Sequence, residues 1–147
     1  MSESKDLAEA IIGTWELIDR IDRAADGSTR DEPNLGSDPV AQLTYTKTRF
    51  AAQFMRRDRR AVMPEPPAAG GNNTTAVGGY DAYFGTYSVG EDGAVLHRLL
   101  AALTPDNVGM EVSRFLTADK DRLTIRLPTA TAQGEPVTRT LTWRRLA

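Results

Sequence analysis

The chain offers one histidine for chemistry. His97 is unique among 147 residues, and imidazole is the side chain whose unperturbed pKa lies nearest neutrality, which makes it the natural proton-transfer candidate. In "VLHRLLAAL", strict alternation puts Val95, His97, Leu99, Ala101 and Leu103 on one side, and Leu96, Arg98, Leu100 and Ala102 on the other. In "GMEVSRFL", Met110, Val112, Arg114 and Leu116 share a face, so an arginine stands in an apolar row. If that face is interior, Arg114 needs a carboxylate, a carbonyl or a ligand anion. "YDAYFGTYSV" places Asp81, Tyr83, Gly85, Tyr87 and Val89 together, which makes Asp81 a candidate partner for Arg114.

These residues assemble into a site on paper. Tyr83 and Tyr87 offer amphipathic walls with a hydroxyl handle, and Gly85 leaves room between them. Arg114, Asn107 and Tyr45 are suited to binding or polarising a carbonyl or carboxylate oxygen. Phe54 and Met110 add apolar wall. Such a set suits isomerisation, cyclisation or elimination on a small carbonyl compound without a cofactor. His97 would be the acid/base, with Arg114 and Asp81 as further catalytic candidates. Each residue also has a plain structural reading. His97 is then a hydrogen-bonded strand residue, Arg114 with a carboxylate a core strut, and the tyrosines simple core. Gly85 is then a bend at a barrel corner, the reading favoured because closing a barrel needs such bends.

Composition narrows the field. There is no cysteine, so disulfides, thiolate chemistry and Cys-built zinc or iron–sulfur sites are excluded. The net charge of −2 provides no global field for nucleic acid. The one basic cluster, "RRDRR" at Arg56–Arg60, lacks interleaved aromatics and reads as a solvated strand end. No glycine-rich phosphate loop, calcium-loop spacing or nucleophile elbow is present, so no cofactor or metal is expected. "MSESKDLAEAIIG" lacks the order of a signal peptide, and no apolar run is long enough to span a bilayer. A cytoplasmic location without membrane partners is the expectation.

The elements that must position these residues are mostly strands. After Ser4, a candidate N-cap, Leu7, Ala8, Ala10 and Ile11 fall at helical spacing and predict one short N-terminal helix. The period then changes to two. In "TWELIDRI", Trp15, Leu17 and Ile21 share a face interrupted by Asp19, with Glu16, Ile18, Arg20 and Asp22 opposite. "VAQLTYT" and "RFAAQFMR" alternate as a hairpin, with Ala41, Leu43 and Tyr45 sharing a face of the first strand and Phe50, Ala52 and Phe54 a face of the second. Residues 57–77 form the longest loop, around "MPEPPAAGGNNTT", and loops of that length are usually functional or disordered. Four more strand-like runs follow, and "VTRTLTWRRL" closes the chain. About eight strands separated by short turns predict an all-β, up-and-down antiparallel barrel over residues 1–147 as one domain, with its last strand closing on its first.

The ordered set of "IIGTWELI", "GSDPVAQLTYT", "FAAQFMRRDR", "YDAYFGTYSV", "VLHRLL…TPDNVGMEVSRF", "DRLTI" and "TLTWRRL" resembles the bacterial lipocalin-like domain family, small calycin-related barrels. "AYFGTY" is its most specific piece. The resemblance implies a closed barrel with a ligand cavity and a Gly-x-Trp first strand at its base. It also implies a basic residue near the chain end, here Arg144 or Arg145, stacked on Trp15.

Three functions are consistent with this. The first is a small-molecule binding barrel for an apolar ligand bearing a polar oxygen, its mouth framed by the 57–77 loop. The second is the cofactor-free isomerase, cyclase or lyase in the same cavity. The third is a filled barrel acting through surface or dimer contacts. A barrel filled by Leu43, Phe54, Leu99 and Leu116 would remove the first two.

Overall fold

The computed structural model describes residues 2–36, 38–59 and 78–147. Helix α1 (Ser2–Ala10) leads into β1 (Gly13–Arg23), the two-residue β2 (Thr29–Arg30), β3 (Val40–Tyr45) and β4 (Arg49–Met55). Strands β5 (Tyr80–Val89), β6 (Ala94–Ala102), β7 (Glu111–Ala118), β8 (Arg122–Ala130) and β9 (Pro136–Arg145) complete the order. Every pairing is antiparallel, from β3 to β9 each strand pairs with its sequence neighbour, and β1 pairs with both β3 and β9. This closes an eight-stranded barrel with β2 as a side rung on the end of β1. Closure removes the exposed edges that an open sheet of this size would carry. The helix starts at Ser2, so Ser4 is inside it rather than its N-cap. Among the described residues no helix is long and apolar enough to cross a membrane.

Alternation decides which side chains fill the barrel. Strands β3 and β4 bury Ala41, Leu43 and Tyr45 against Phe50, Ala52 and Phe54, as their period predicts. Two bulges break the period elsewhere. On β1 the pairing with β9 shifts between Leu17 and Asp19, leaving Ile18 as the extra residue, 43% exposed. Trp15 and Leu17 point inward before the bulge, and Arg20 and Asp22 are buried after it. The expected grouping of Ile21 with Trp15 and of Arg20 with Ile18 is therefore reversed. On β6, Phe84 faces Ala101 and Gly85 faces Leu99, so Leu100 is extra. Inward facing then passes from Leu99 to Ala102, which packs on the core, not to Ala101. Leu103 is exposed. A bulge of this kind adds twist and re-aims every side chain beyond it.

Gly85 sits at that bulge because nothing larger fits. A Cβ there would lie 1.7 Å from the carbonyl oxygen of Arg98. The glycine is a site of close backbone approach, so it makes a barrel bend and not a gap in a cavity wall.

Candidate functional site

The barrel has two unlike ends. Near the start of β1 and the end of β9, Trp15, Leu99, Leu116 and Leu123 pack solidly, each 1% exposed or less, with Leu7 and Ile11 beside them. Toward the other end the interior opens into a cavity of about 70 Å³. A water needs roughly 10–15 Å³ by such a measure, so the space holds several. Leu43 and Phe54 line this cavity rather than fill it. One side is aliphatic: Leu43, Val112, Ile125, Leu127 and Leu141. The other is a run of touching rings. Trp143 meets Phe54 edge-on at 5.8 Å, Phe54 stacks on Tyr83 at 6.3 Å, and Tyr83 meets Phe50 at 6.0 Å. Phe50 in turn meets His97 at 4.7 Å.

Charge is concentrated where the β1 bulge turns the strand. Arg139 on β9 donates twice to Asp22, from Nε at 2.7 Å and Nη2 at 2.9 Å, in a buried bidentate pair. Arg20 donates from Nη1 to Glu32 at 3.1 Å. Glu32 also accepts from the backbone N–H groups of Asn34 and Leu35, which fixes the β2–β3 loop in a tight turn. That turn sets Leu35, 3% exposed, against the cavity. Every other lining side chain is carried by a barrel strand, so Leu35 is the loop-borne one. Arg20 and Arg139 line the cavity already neutralised by carboxylates behind them. Their alternation with apolar neighbours was readable on β9, where Val137, Arg139, Leu141 and Trp143 share a face. On β1 the bulge hid it.

His97 faces the cavity, as its strand period predicts. Its Nε2 lies 2.6 Å from the Tyr45 hydroxyl. Burial foremost, and then the charge of Arg114, push its imidazole down to about 3. Burial also raises the Tyr45 phenol well above its ordinary value. Both groups are neutral at physiological pH, and with the phenol as donor the ring proton sits on Nδ1. Asp81 behaves in the opposite sense. Burial raises its carboxyl to about 7, offset in part by the Ala82 N–H and the charge of Arg20. The group raised into the neutral range is thus the Asp81 carboxyl, not the His97 imidazole.

Three cavity-lining side chains carry buried polar atoms with no hydrogen-bond partner among the described residues: Asp81 Oδ1, His97 Nδ1 and Trp143 Nε1. Buried polar atoms are paired in the great majority of cases, and these three are gathered around one cavity, with the Val95 and Val112 backbone acting on the His97 ring. No group of three or more metal-ligating side chains occurs among the described residues.

The remaining candidates divide. Tyr45, Phe54, Tyr83, Asp81 and Arg114 line the cavity with His97. Arg114 donates to the Ser113 carbonyl at 3.1 Å, and the charge felt at Asp81 is not that of Arg114, as expected, but that of Arg20, which is itself paired with Glu32. Tyr87 does not line the cavity. Its hydroxyl donates to the Thr46 carbonyl at 2.7 Å and ties down the β3–β4 turn, while its ring supports Tyr45 at 5.0 Å. Asn107 is buried in the β6–β7 turn, and Met110 packs on the core beside it, both away from the cavity. The arginine cluster straps loops together. Arg56 donates to the Pro33 carbonyl, Arg57 to that of Asp38 at 3.0 Å, and Arg59 to that of Gly78 at 2.9 Å. Arg60 and the rest of the expected mouth loop, residues 60–77, lie outside the described residues.

A family model described as lipocalin-like domain matches residues 12–146. The chain belongs to the lipocalin-like domain family. No curated protein matches it. The base of this lipocalin-like barrel has the expected Gly-x-Trp arrangement. The Arg145 guanidinium lies 4.2 Å over the Trp15 ring and donates to the carbonyls of Ile12 at 2.8 Å and Ala10 at 2.6 Å. Arg144 instead pairs with Glu16 on the surface. Gly13 has φ +141°, and a Cβ there would lie 2.5 Å from both Arg145 and the Ala147 carbonyl. The glycine is thus what lets the chain end close over the tryptophan.

Proposed function

We propose that this barrel binds a small apolar molecule bearing at least one polar oxygen, in the cavity between the aliphatic and aromatic walls. The observation that carries this reading is the cavity itself, which is apolar-walled and lined by two arginines, Arg20 and Arg139, whose carboxylate partners are already in place. Such a site, mostly apolar with a few convergent polar groups, is the usual form of a small-molecule pocket. An apolar cavity of about 150 Å³ takes benzene in a well-studied case. The smaller space here suits a compound of few heavy atoms, and displacing Leu35 is the least disruptive way to admit more. The isomerase alternative built on His97 gains no support from its surroundings. An imidazole held neutral to about pH 3 is a weak base for carbon acids.

The test is to fill the cavity. Ala52 lines it from β4, so Ala52→Leu places three carbons in open space. The variant is expected to keep the fold and to lose binding of small aromatic probes by calorimetric titration. Unchanged affinity in a folded Ala52→Leu protein would place binding elsewhere.

A further inference from the structure

Two of the unpartnered atoms belong to neighbours of one ring, that of Phe54. Asp81 is the cross-strand partner of Phe54, and the Phe54 ring meets Trp143 edge-on at 5.8 Å. Asp81 Oδ1 is an acceptor when ionised, and Trp143 Nε1 is always a donor. A single hydroxyl group has both capacities, since it donates one hydrogen and accepts on its oxygen.

Charge balance points the same way. Arg139 is matched by Asp22 and Arg20 by Glu32. Asp81 and Arg114, the other charged groups lining the cavity, are one of each sign. The cavity has no net excess of positive charge to reward an anion. The ring-lined wall, from Trp143 through Phe54, Tyr83 and Phe50, favours a flat partner that can stack or meet edges.

We propose that the cavity selects neutral ring compounds carrying a hydroxyl group, with that hydroxyl donating to Asp81 Oδ1 and accepting from Trp143 Nε1–H. This rests on the binding reading above and adds the class of ligand. An apolar cavity prefers toluene to phenol, because phenol must leave water without a replacement for its hydrogen bonds. A cavity with a waiting acceptor and donor reverses that order, because an unmade buried hydrogen bond is then the penalty for toluene.

The experiment titrates phenol and toluene, near-isosteres, into wild type and Leu35→Ala at pH 8, where Asp81 is ionised. The Leu35→Ala protein widens the cavity for a six-membered ring. Wild type or the widened protein is expected to bind phenol more tightly than toluene. In the same background Asp81→Leu is expected to weaken phenol by at least about tenfold and leave toluene equal or tighter. Trp143→Phe, which keeps an aromatic ring, is expected to weaken phenol alone. Asp81→Asn keeps an acceptor at this position, so it is expected to retain part of the phenol preference and guards against a folding defect in Asp81→Leu. Tighter binding of toluene than phenol, or a phenol preference that survives both Asp81→Leu and Trp143→Phe, would overturn the ligand class while leaving the cavity reading intact. Failure of both rings to bind either protein would remove both.

Discussion

Replacing Asp81 by asparagine should make the protein more stable at neutral and alkaline pH. Asp81 is 4% exposed, one of its oxygens has no partner, and its carboxyl is raised from 3.8 to about 7. Below pH 4 the group is protonated in both folded and unfolded chains and contributes no difference. As pH rises from about 4 to about 7, the unfolded chain ionises first, and the folded state loses ground. Above pH 7 the full difference stands. At about 1.4 kcal/mol per unit this is roughly 4 kcal/mol, which local relaxation and water entry reduce to roughly 2–4 kcal/mol. Asparagine has nearly the same shape and no charge to bury.

His97 works in the reverse direction. Its pKa falls from 6.5 to about 3 on folding, so its contribution to stability is full above pH 6.5 and is lost as pH falls toward 3. Between about pH 4 and 6.5 the two residues oppose each other, and wild-type stability should change little from their sum. The exposed carboxylates of Asp26, Asp119 and Glu135 are held below their usual values, by hydrogen bonds from Ser28, from the Asp121 and Arg122 backbone, and from Arg30 respectively. They act at the acid edge of this window or below it. The assay is urea denaturation of wild type and Asp81→Asn from pH 4 to pH 8.5. The variant should gain stability at pH 8, match wild type near pH 4, and fall steadily on acidification where wild type is flat. Equal or lower stability of Asp81→Asn at pH 8 would refute the reasoning, since that is how a carboxylate in a good ion pair behaves.

Other substitutions report on the frame. Gly85→Ala sets a methyl 1.7 Å from the Arg98 carbonyl, and should cost at least about 3 kcal/mol in denaturant midpoint or prevent folding. Arg145→Ala removes the contact with Trp15 and donors to the carbonyls of Ala10 and Ile12. It should cost about 2–4 kcal/mol by chemical denaturation and raise hydrogen exchange in α1. Leu35→Ala takes away the loop-borne cover of the cavity. It should speed probe association in stopped-flow measurements and cost about 2 kcal/mol of stability.

Much of this architecture was legible because side-chain direction in a strand has period two. Strands β3, β4, β5 and β7 put Tyr45, Phe54, Tyr83 and Arg114 where simple alternation sent them. His97 was placed correctly because it precedes the bulge on its own strand. Simple alternation puts Arg20 and Asp22 on the face opposite Trp15 and Leu17, whereas one extra residue at Ile18 inverts everything after it, and no residue type there announces a bulge. Arg139 was within reach of the same pattern, through Val137, Leu141 and Trp143. Tyr87 did fall on the inner face of β5, but near the end where its hydroxyl finds turn carbonyls before it finds the cavity. Strand period assigns a face and says nothing of depth along the barrel. The surroundings of a buried charge are equally hidden, since the charge of Arg20 acts on Asp81 only because the bulge turns Arg20 inward. The pKa order of Asp81 and His97 follows from burial, which composition does not reveal.

Binding as proposed requires ligands to enter the barrel. Crystals of the widened Leu35→Ala protein soaked with 4-bromophenol test this through the anomalous signal of bromine. A bromine peak is expected inside the barrel, bounded by Phe54, Leu127, Leu141 and Trp143. A peak confined to the outer surface, or an empty interior at saturating concentration, would contradict it.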